Sequence, residues 1–115
     1  MPVSSPVQQL LHWAATNPND CFLRQPINGQ WQNISYATAA DHCKRMAKAL
    51  RSMGIQPGDK VALLSKNCAE WIMADIAMMM AGVVSVPIYP TLTAGSIESI
   101  LVHSESKAII AGKLD

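Results

Sequence analysis

The sequence predicts an α/β protein, in which an N-terminal helix and a β-hairpin precede two βαβ units with a three-stranded parallel sheet. Three apolar runs of strand length begin near residues 61, 83 and 108. A segment with helical spacing of apolar residues separates each run from the next. None of the runs alternates polar with apolar residues, which is typical of parallel strands covered on both faces. We therefore expect right-handed crossovers within one sheet.

The lead-in to this sheet has its own local signals. Apolar residues recur at helical spacing over residues 6–15, which predicts a short amphipathic helix. Two extended runs follow at residues 21–24 and 31–34, and turn-forming residues that include Gly29 lie between them. This arrangement predicts an antiparallel hairpin.

The first long helix is predicted from its cap and from one apolar stripe. Ser35 can cap a helix that begins at Tyr36, and Gly54 supplies a left-handed residue at its end. A turn at residues 57–59 then leads into the strand run 61–64. The stripe consists of Ala39, Cys43, Met46, Leu50 and Met53.

The next two helices alternate with the second and third strand runs. Asn67 and Glu70 have the spacing of a capping box, and the helix that they open should end at Gly82. Its nearly all-round apolar surface predicts burial on more than one side. Pro87 is expected to end the hydrogen bonding of the strand run 83–86, and Thr93 to cap the last helix before the run 108–111.

Composition excludes several functional classes. The chain has 115 residues, a net charge of +1 and only 15% charged residues, so neither nucleic acid nor anionic lipid is an expected partner. The low charge suggests that something outside the chain covers part of its apolar surface. Three cysteines without C-x-x-C spacing argue against a disulfide framework or a zinc site and favour a cytoplasmic location.

Neither the N-terminus nor the interior predicts a membrane segment. The N-terminus has no basic region followed by an apolar run, so a signal peptide is not expected. The stretch 71–88 is apolar and about long enough to span a bilayer. However, it contains Asp75, Gly82 and Pro87, which a helix, a turn and a buried strand explain together. We expect no transmembrane segment.

No residue cluster stands out as catalytic, and no metal site is predicted. The chain has neither of the glycine-rich phosphate motifs, although Ser65 and Lys66 at a helix start could hold an anion. His42 and Cys43 are adjacent and point about 100° apart on a helix, so they cannot form a nucleophile pair. His103 lies near a helix end, where a cation interacts favourably with the helix dipole. Met78 to Met80 face three directions and suit core filling better than acyl-chain binding.

The overall pattern of the chain from about residue 29 to 112 resembles the N-terminal part of the AMP-forming acyl-CoA synthetases. The matching segments are W-Q-N-I-S-Y at 31–36, G-I-Q-P-G-D-K-V-A-L-L at 54–64, E-W at 70–71, A-G-V-V-S-V-P-I-Y-P-T at 81–91 and K-A-I-I at 107–110. The V-P-I-Y-P-T form with the earlier E-W looks most like the long-chain fatty acid branch. One departure is Thr38, where a carboxylate would complete a capping box with Ser35.

The resemblance implies a role for the chain and for one loop. It implies that residues 1–115 are the N-terminal part of the AMP-binding domain of a fatty acid–CoA ligase. Such an enzyme uses ATP, Mg²⁺ and CoA, which this part alone is not expected to bind. The phosphate loop and the catalytic lysine of the family would follow residue 115, so we expect the 115 residues alone to be inactive. The same resemblance places the segment Ile88, Tyr89, Pro90 and Thr91 beside the tunnel for the pantetheine arm of CoA, although a rigid loop with only a structural role is an open alternative.

Other hypotheses stay open at this level. The carboxylate substrate could be an aryl or amino acid rather than a fatty acid. The chain could also be a self-contained α/β interaction module. The complete enzyme could contact a membrane peripherally. If the chain is part of a larger domain, the strand edge 108–111 and one apolar face should be open, which predicts self-association of the chain when it is isolated.

Overall fold

The computed structural model describes residues 5–114 and confirms the predicted succession of helix, hairpin and two βαβ units. The hairpin forms a separate two-stranded antiparallel sheet, in which Pro26 pairs with Trp31 and Ile27 with Gln30. In chain order the elements are α1 (Pro6–Thr16), β1 (Cys21–Ile27), β2 (Gln30–Ser35), α2 (Tyr36–Ser52), β3 (Lys60–Leu64), α3 (Ala69–Ala81), β4 (Val84–Ile88), α4 (Ala94–Ser104) and β5 (Ala108–Ala111).

The three apolar runs form one parallel sheet with the strand order β4-β3-β5. At the carboxyl end of the central strand, Leu64 pairs with Ile88 on one side and Ala111 on the other. Because all three strands point the same way, the loops that follow Leu64, Ile88 and Ala111 meet at one edge of the sheet. That edge is where open α/β sheets bind ligands.

Helix α3 is buried on two sides, as its apolar composition predicts. One side contributes Ala74, Met78 and Ala81 to a core cluster with residues of α2 and β3. Another side contributes Met73 and Ala77 to a second cluster, which includes residues of α1, α2 and the hairpin. Helix α3 thus links the hairpin layer to the parallel sheet.

Coverage on both faces is found for the central strand but not for its neighbours within the described residues. Val61, Ala62 and Leu63 of β3 are fully buried, whereas Val84 of β4 and Ile109 of β5 are 47% and 44% exposed. Helix α4 buries none of its residues. Coverage on both faces is therefore limited to the central strand in residues 5–114, and the exposed Ile109 agrees with the open edge expected at residues 108–111.

Most predicted helix ends are confirmed. The Ser35 hydroxyl accepts a hydrogen bond from the Thr38 amide at 3.1 Å, and the Thr93 hydroxyl accepts one from the Ser96 amide at 3.2 Å. Gly82 has φ +75° and ends α3 in the left-handed conformation that glycine adopts at low cost.

The predicted capping box of Asn67 and Glu70 is wrong. The residue at the cap position of α3 is Cys68, and its side chain forms no capping hydrogen bond. The amide of Ala69 instead donates to Oε1 of Gln25, at 2.8 Å. A side chain from the hairpin therefore satisfies the helix terminus that a local residue was expected to cap.

Two smaller expectations also need correction. Strand β4 does not stop before Pro87, because Pro87 pairs with Leu63 and the strand continues to Ile88. This is compatible with an edge strand, where one side of the backbone has no ladder partner. Met53 does not extend the buried stripe of α2, since it lies at the C-cap and is 68% exposed.

Within residues 5–114, no helix has both the length and the hydropathy that crossing a membrane requires. The apolar stretch 71–88 is divided between α3 and β4 at Gly82, as predicted.

Candidate functional site

The segment from Ile88 to Thr91, which the family resemblance places beside the pantetheine tunnel, leaves the sheet at the end of β4. Ile88 is only 3% exposed and anchors the segment in the core, whereas Tyr89 is 77% exposed. Pro90 is half-buried and Thr91 is exposed. The carbonyl of Tyr89 accepts a hydrogen bond from the Leu92 amide at 3.2 Å, which turns the chain towards α4.

A cavity of about 240 Å³ lies between this segment and the loop that follows β3. Three of the four predicted site residues, Ile88, Tyr89 and Pro90, line it, and Thr91 is not part of the lining. The remaining lining residues are Ser65, Lys66, Asn67, Trp71 and Pro87. The structure therefore brings the predicted segment together with the Ser65-Lys66 loop, which was considered separately as an anion site.

The loop after β3 is fixed to the segment after β5. Ser65 is 5% exposed, and its hydroxyl accepts a hydrogen bond from the Lys113 amide at 3.0 Å and donates to the Lys66 carbonyl at 2.9 Å. The Lys66 amide donates to the Lys113 carbonyl at 2.7 Å. Gly112 lies so close that a Cβ there would be 2.6 Å from the Ser65 hydroxyl. The sequence analysis did not predict this contact between the loops after β3 and β5; the glycine at position 112 was the one residue that could have indicated it.

A larger cavity of about 590 Å³ lies between the hairpin and the start of α3, and it shares Asn67 and Trp71 with the cavity beside Tyr89. Gln25 lines it and caps Ala69, and this contact joins residues that are 44 positions apart. The cavity is lined by Leu23, Arg24, Gln25, Pro26, Asn67, Cys68, Ala69, Trp71 and Ile72. No sequence motif predicted it.

The remaining candidate groups form no catalytic cluster. Cys43 is 1% exposed, its thiol donates to the Met73 carbonyl at 3.3 Å, and burial raises its pKa to about 11, so it is a core residue as predicted. Asp41 pairs with Arg45 on the exposed side of α2, at 2.9 Å. His42 and His103 are exposed. In the part of the chain from residue 5 to 114, no group of three or more His, Cys, Asp or Glu residues could hold a metal ion.

Curated proteins similar to this chain are acyl-CoA ligases. It is 34% identical over 95 residues to the long-chain-fatty-acid–CoA ligase FadD15 of Mycobacterium bovis, an alignment that covers 83% of this chain and 16% of the relative. It is 33% identical over 108 residues to the long chain acyl-CoA synthetase 2 of Arabidopsis thaliana, with coverage of 90% and 16%. The chain thus spans about one sixth of the length of these relatives.

Solved structures share the fold. A fatty acid AMP ligase from Legionella pneumophila superposes with a TM-score of 0.83 at 25% identity, over 90% of this chain and 18% of that one. A protein named IdnL1 superposes with a TM-score of 0.84 at 25% identity, over 95% and 22%.

The family model described as AMP-binding enzyme matches residues 10–115, which is nearly the whole chain. The parallel sheet, the loops at its carboxyl edge and the similar proteins agree with this match. The chain therefore belongs to the AMP-binding enzyme family.

Proposed function

We propose that the full-length protein is a long-chain fatty acid–CoA ligase, and that residues 1–115 are the N-terminal part of its AMP-binding domain. The enzyme would join a fatty acid to AMP from ATP with release of pyrophosphate, and then transfer the acyl group to the thiol of CoA. The observation that carries this proposal is the 34% identity to a long-chain-fatty-acid–CoA ligase over 83% of the chain.

The chemistry of the described residues supports a scaffolding role for this part. The cavity at the sheet edge is lined by one cationic residue and by neutral side chains, without a nucleophile and base in contact. Mg²⁺ would offset phosphate charge in the full-length enzyme. The described residues do not fit such an ion, since Mg²⁺ requires carboxylate or other oxygen ligands and no carboxylate lines this cavity.

The experiment is an assay of the full-length protein with ATP, Mg²⁺, CoA and carboxylic acids of different classes. We expect AMP, pyrophosphate and acyl-CoA, with the highest kcat/KM for long-chain fatty acids. A higher kcat/KM for an aryl or amino acid would show that the substrate is not a fatty acid but a carboxylic acid of that other class. Accumulation of acyl-adenylate without any acyl-CoA would contradict the ligase proposal, and this outcome is a real alternative because a fatty acid AMP ligase shares the fold.

We further propose that Ile88, Tyr89, Pro90 and Thr91 line the approach of the pantetheine arm. Tyr89 carries the argument, because its side chain is 77% exposed at a cavity on the carboxyl edge of the sheet. A bulkier Tyr89→Trp or a charged Tyr89→Glu side chain in the full-length enzyme should slow thioester formation by about tenfold, the effect of ~1.4 kcal/mol on a barrier.

The two half-reactions separate this role from a structural one. ATP–pyrophosphate exchange without CoA reports adenylation, and acyl-CoA formation reports the second step. Tyr89→Phe should preserve both, as the matched control. Equal losses in the two half-reactions of the Trp and Glu variants would show that the segment only supports the fold.

The partners and location follow as further parts of the proposal. The principal partner of this chain is the remainder of the ligase, which would cover the exposed residues of β4 and β5. When isolated, the chain should associate with itself through these edges. Membership in the AMP-binding family favours the enzyme over a free-standing interaction module. We place the enzyme in the cytoplasm, with peripheral membrane contact as the alternative.

A further inference from the structure

Lys66 is the cationic residue of the cavity beside Tyr89. It is exposed, whereas its neighbour Ser65 is buried. Among the described residues that line this cavity, none carries a carboxylate, and Trp71 and Tyr89 contribute aromatic rings. An anion entering the cavity would therefore meet one positive charge and no carboxylate among the lining residues.

The backbone of Lys66 is held in place while its side chain is available. Its amide donates to the Lys113 carbonyl at 2.7 Å, and its carbonyl accepts from the Ser65 hydroxyl at 2.9 Å. Its ammonium group forms no ion pair or hydrogen bond with the residues from 5 to 114. A ligand anion would thus not have to compete with an internal partner for this charge.

We propose that Lys66 binds a phosphate of CoA and gives the enzyme its preference for CoA over thiols that lack the nucleotide. An ammonium group is a compact charge that suits phosphate, and the contact would form at the open mouth of the cavity. ATP also carries phosphates. We assign the contact to CoA because Lys66 faces the same cavity as Tyr89, the residue proposed for the thiol arm. The inference therefore rests on the proposed function.

The test uses the full-length enzyme with Lys66→Ala, Lys66→Arg and a control, Lys60→Ala. Lys60 is an exposed lysine at the start of β3, whereas Lys66 lies in the loop after the end of that strand. Thioester formation is measured with CoA and with pantetheine, which has no phosphate. ATP–pyrophosphate exchange is measured separately.

We expect Lys66→Ala to lower kcat/KM for CoA by about tenfold, because a hydrogen bond to a charged group is lost. The kcat/KM for pantetheine should stay within about twofold of that of the unsubstituted enzyme, because pantetheine has no phosphate for Lys66 to bind. A change of this size is smaller than the loss expected from one hydrogen bond. Lys66→Arg should retain most of the preference for CoA, and Lys60→Ala all of it. The difference in kcat/KM for CoA between the unsubstituted enzyme and Lys66→Ala should shrink at high ionic strength, because salt screens the attraction between the exposed Lys66 ammonium and the phosphate.

Three results would overturn the inference. Equal losses for CoA and pantetheine would show a structural role, and unchanged kinetics with both thiols would show no role. A raised KM for ATP with unchanged CoA kinetics would assign the phosphate contact to ATP. A full-length protein that transfers no acyl group to CoA would refute the proposed function itself, whereas an active ligase in which Lys66→Ala keeps its preference for CoA would refute only this inference.

Discussion

Substitution of Gly112 by alanine tests the close contact between the loop after β3, at Ser65, and the segment after β5, at Gly112 and Lys113 (here called the clamp). An added Cβ would lie 2.6 Å from the hydroxyl and 2.9 Å from the Cβ of Ser65. Ser65 is 5% exposed and its hydroxyl is already bonded to Lys113 and Lys66, so it cannot move aside without cost. Overpacking of this kind costs about 1–3 kcal/mol. A buried hydroxyl that loses its partner costs ~1–3 kcal/mol more.

We therefore expect Gly112→Ala to lower the free energy of unfolding by about 2–6 kcal/mol, as the sum of these two costs. The assay is urea unfolding of the purified chain, followed by tryptophan fluorescence at one fixed chain concentration. Gly95→Ala is the control, because Gly95 lies in α4 and a Cβ there meets nothing within 4 Å. It should stabilise the helix by ~0.5–1 kcal/mol.

A double-mutant cycle with Ser65→Ala makes the reasoning specific. Removing the Ser65 hydroxyl relieves the shorter of the two contacts, so the double variant should be more stable than the sum of the single losses by at least about 0.5 kcal/mol. Strictly additive losses, or a Gly112→Ala variant as stable as Gly95→Ala, would refute the clamp.

Two further predictions concern the core and the sheet edges. Cys43 should resist iodoacetamide in the folded chain while the exposed Cys21 reacts, as followed by mass spectrometry, and equal labelling rates would contradict its burial. Burial raises the pKa of Cys43 from 9.0 to about 11, so the thiol loses its proton at lower pH in the unfolded chain than in the folded one. The free energy of unfolding should therefore be constant below pH 9 and should fall as the pH rises from 9 towards 11. Cys43→Ala should remove this fall. The isolated chain should show a mass that increases with concentration in analytical ultracentrifugation, because β4 and β5 are edge strands with exposed Val84 and Ile109; a monomer at all concentrations would contradict this.

The sequence predicts the features of this fold that depend on nearby residues. The caps at Ser35 and Thr93 and the helix end at Gly82 each involve atoms within a few positions of one another. Strand β5 matches its predicted bounds of residues 108–111, because its apolar run is short and sharply flanked. Local pattern therefore sufficed for element type and for most ends.

Long-range contacts account for what the sequence could not reveal. The cap of Ala69 comes from Gln25, and the partner of Ser65 is Lys113, 48 residues later. No local spacing encodes either contact, so the capping box at Asn67 was the expected but wrong solution. The candidate site was also only partly predictable from local sequence. Its segment at Tyr89 was predicted from the family resemblance, whereas the pairing of β3 with β4 brings the Lys66 loop next to it.

We propose above that residues 1–115 provide scaffold and substrate approach, whereas the chemistry requires the rest of the protein. The most direct measurement compares pyrophosphate and acyl-CoA formation by the 115-residue chain and by the full-length protein, with ATP, Mg²⁺, CoA and a long-chain fatty acid. We expect turnover by the full-length protein and none by the chain alone. Turnover by the isolated chain, or none by the full-length protein, would contradict the claim.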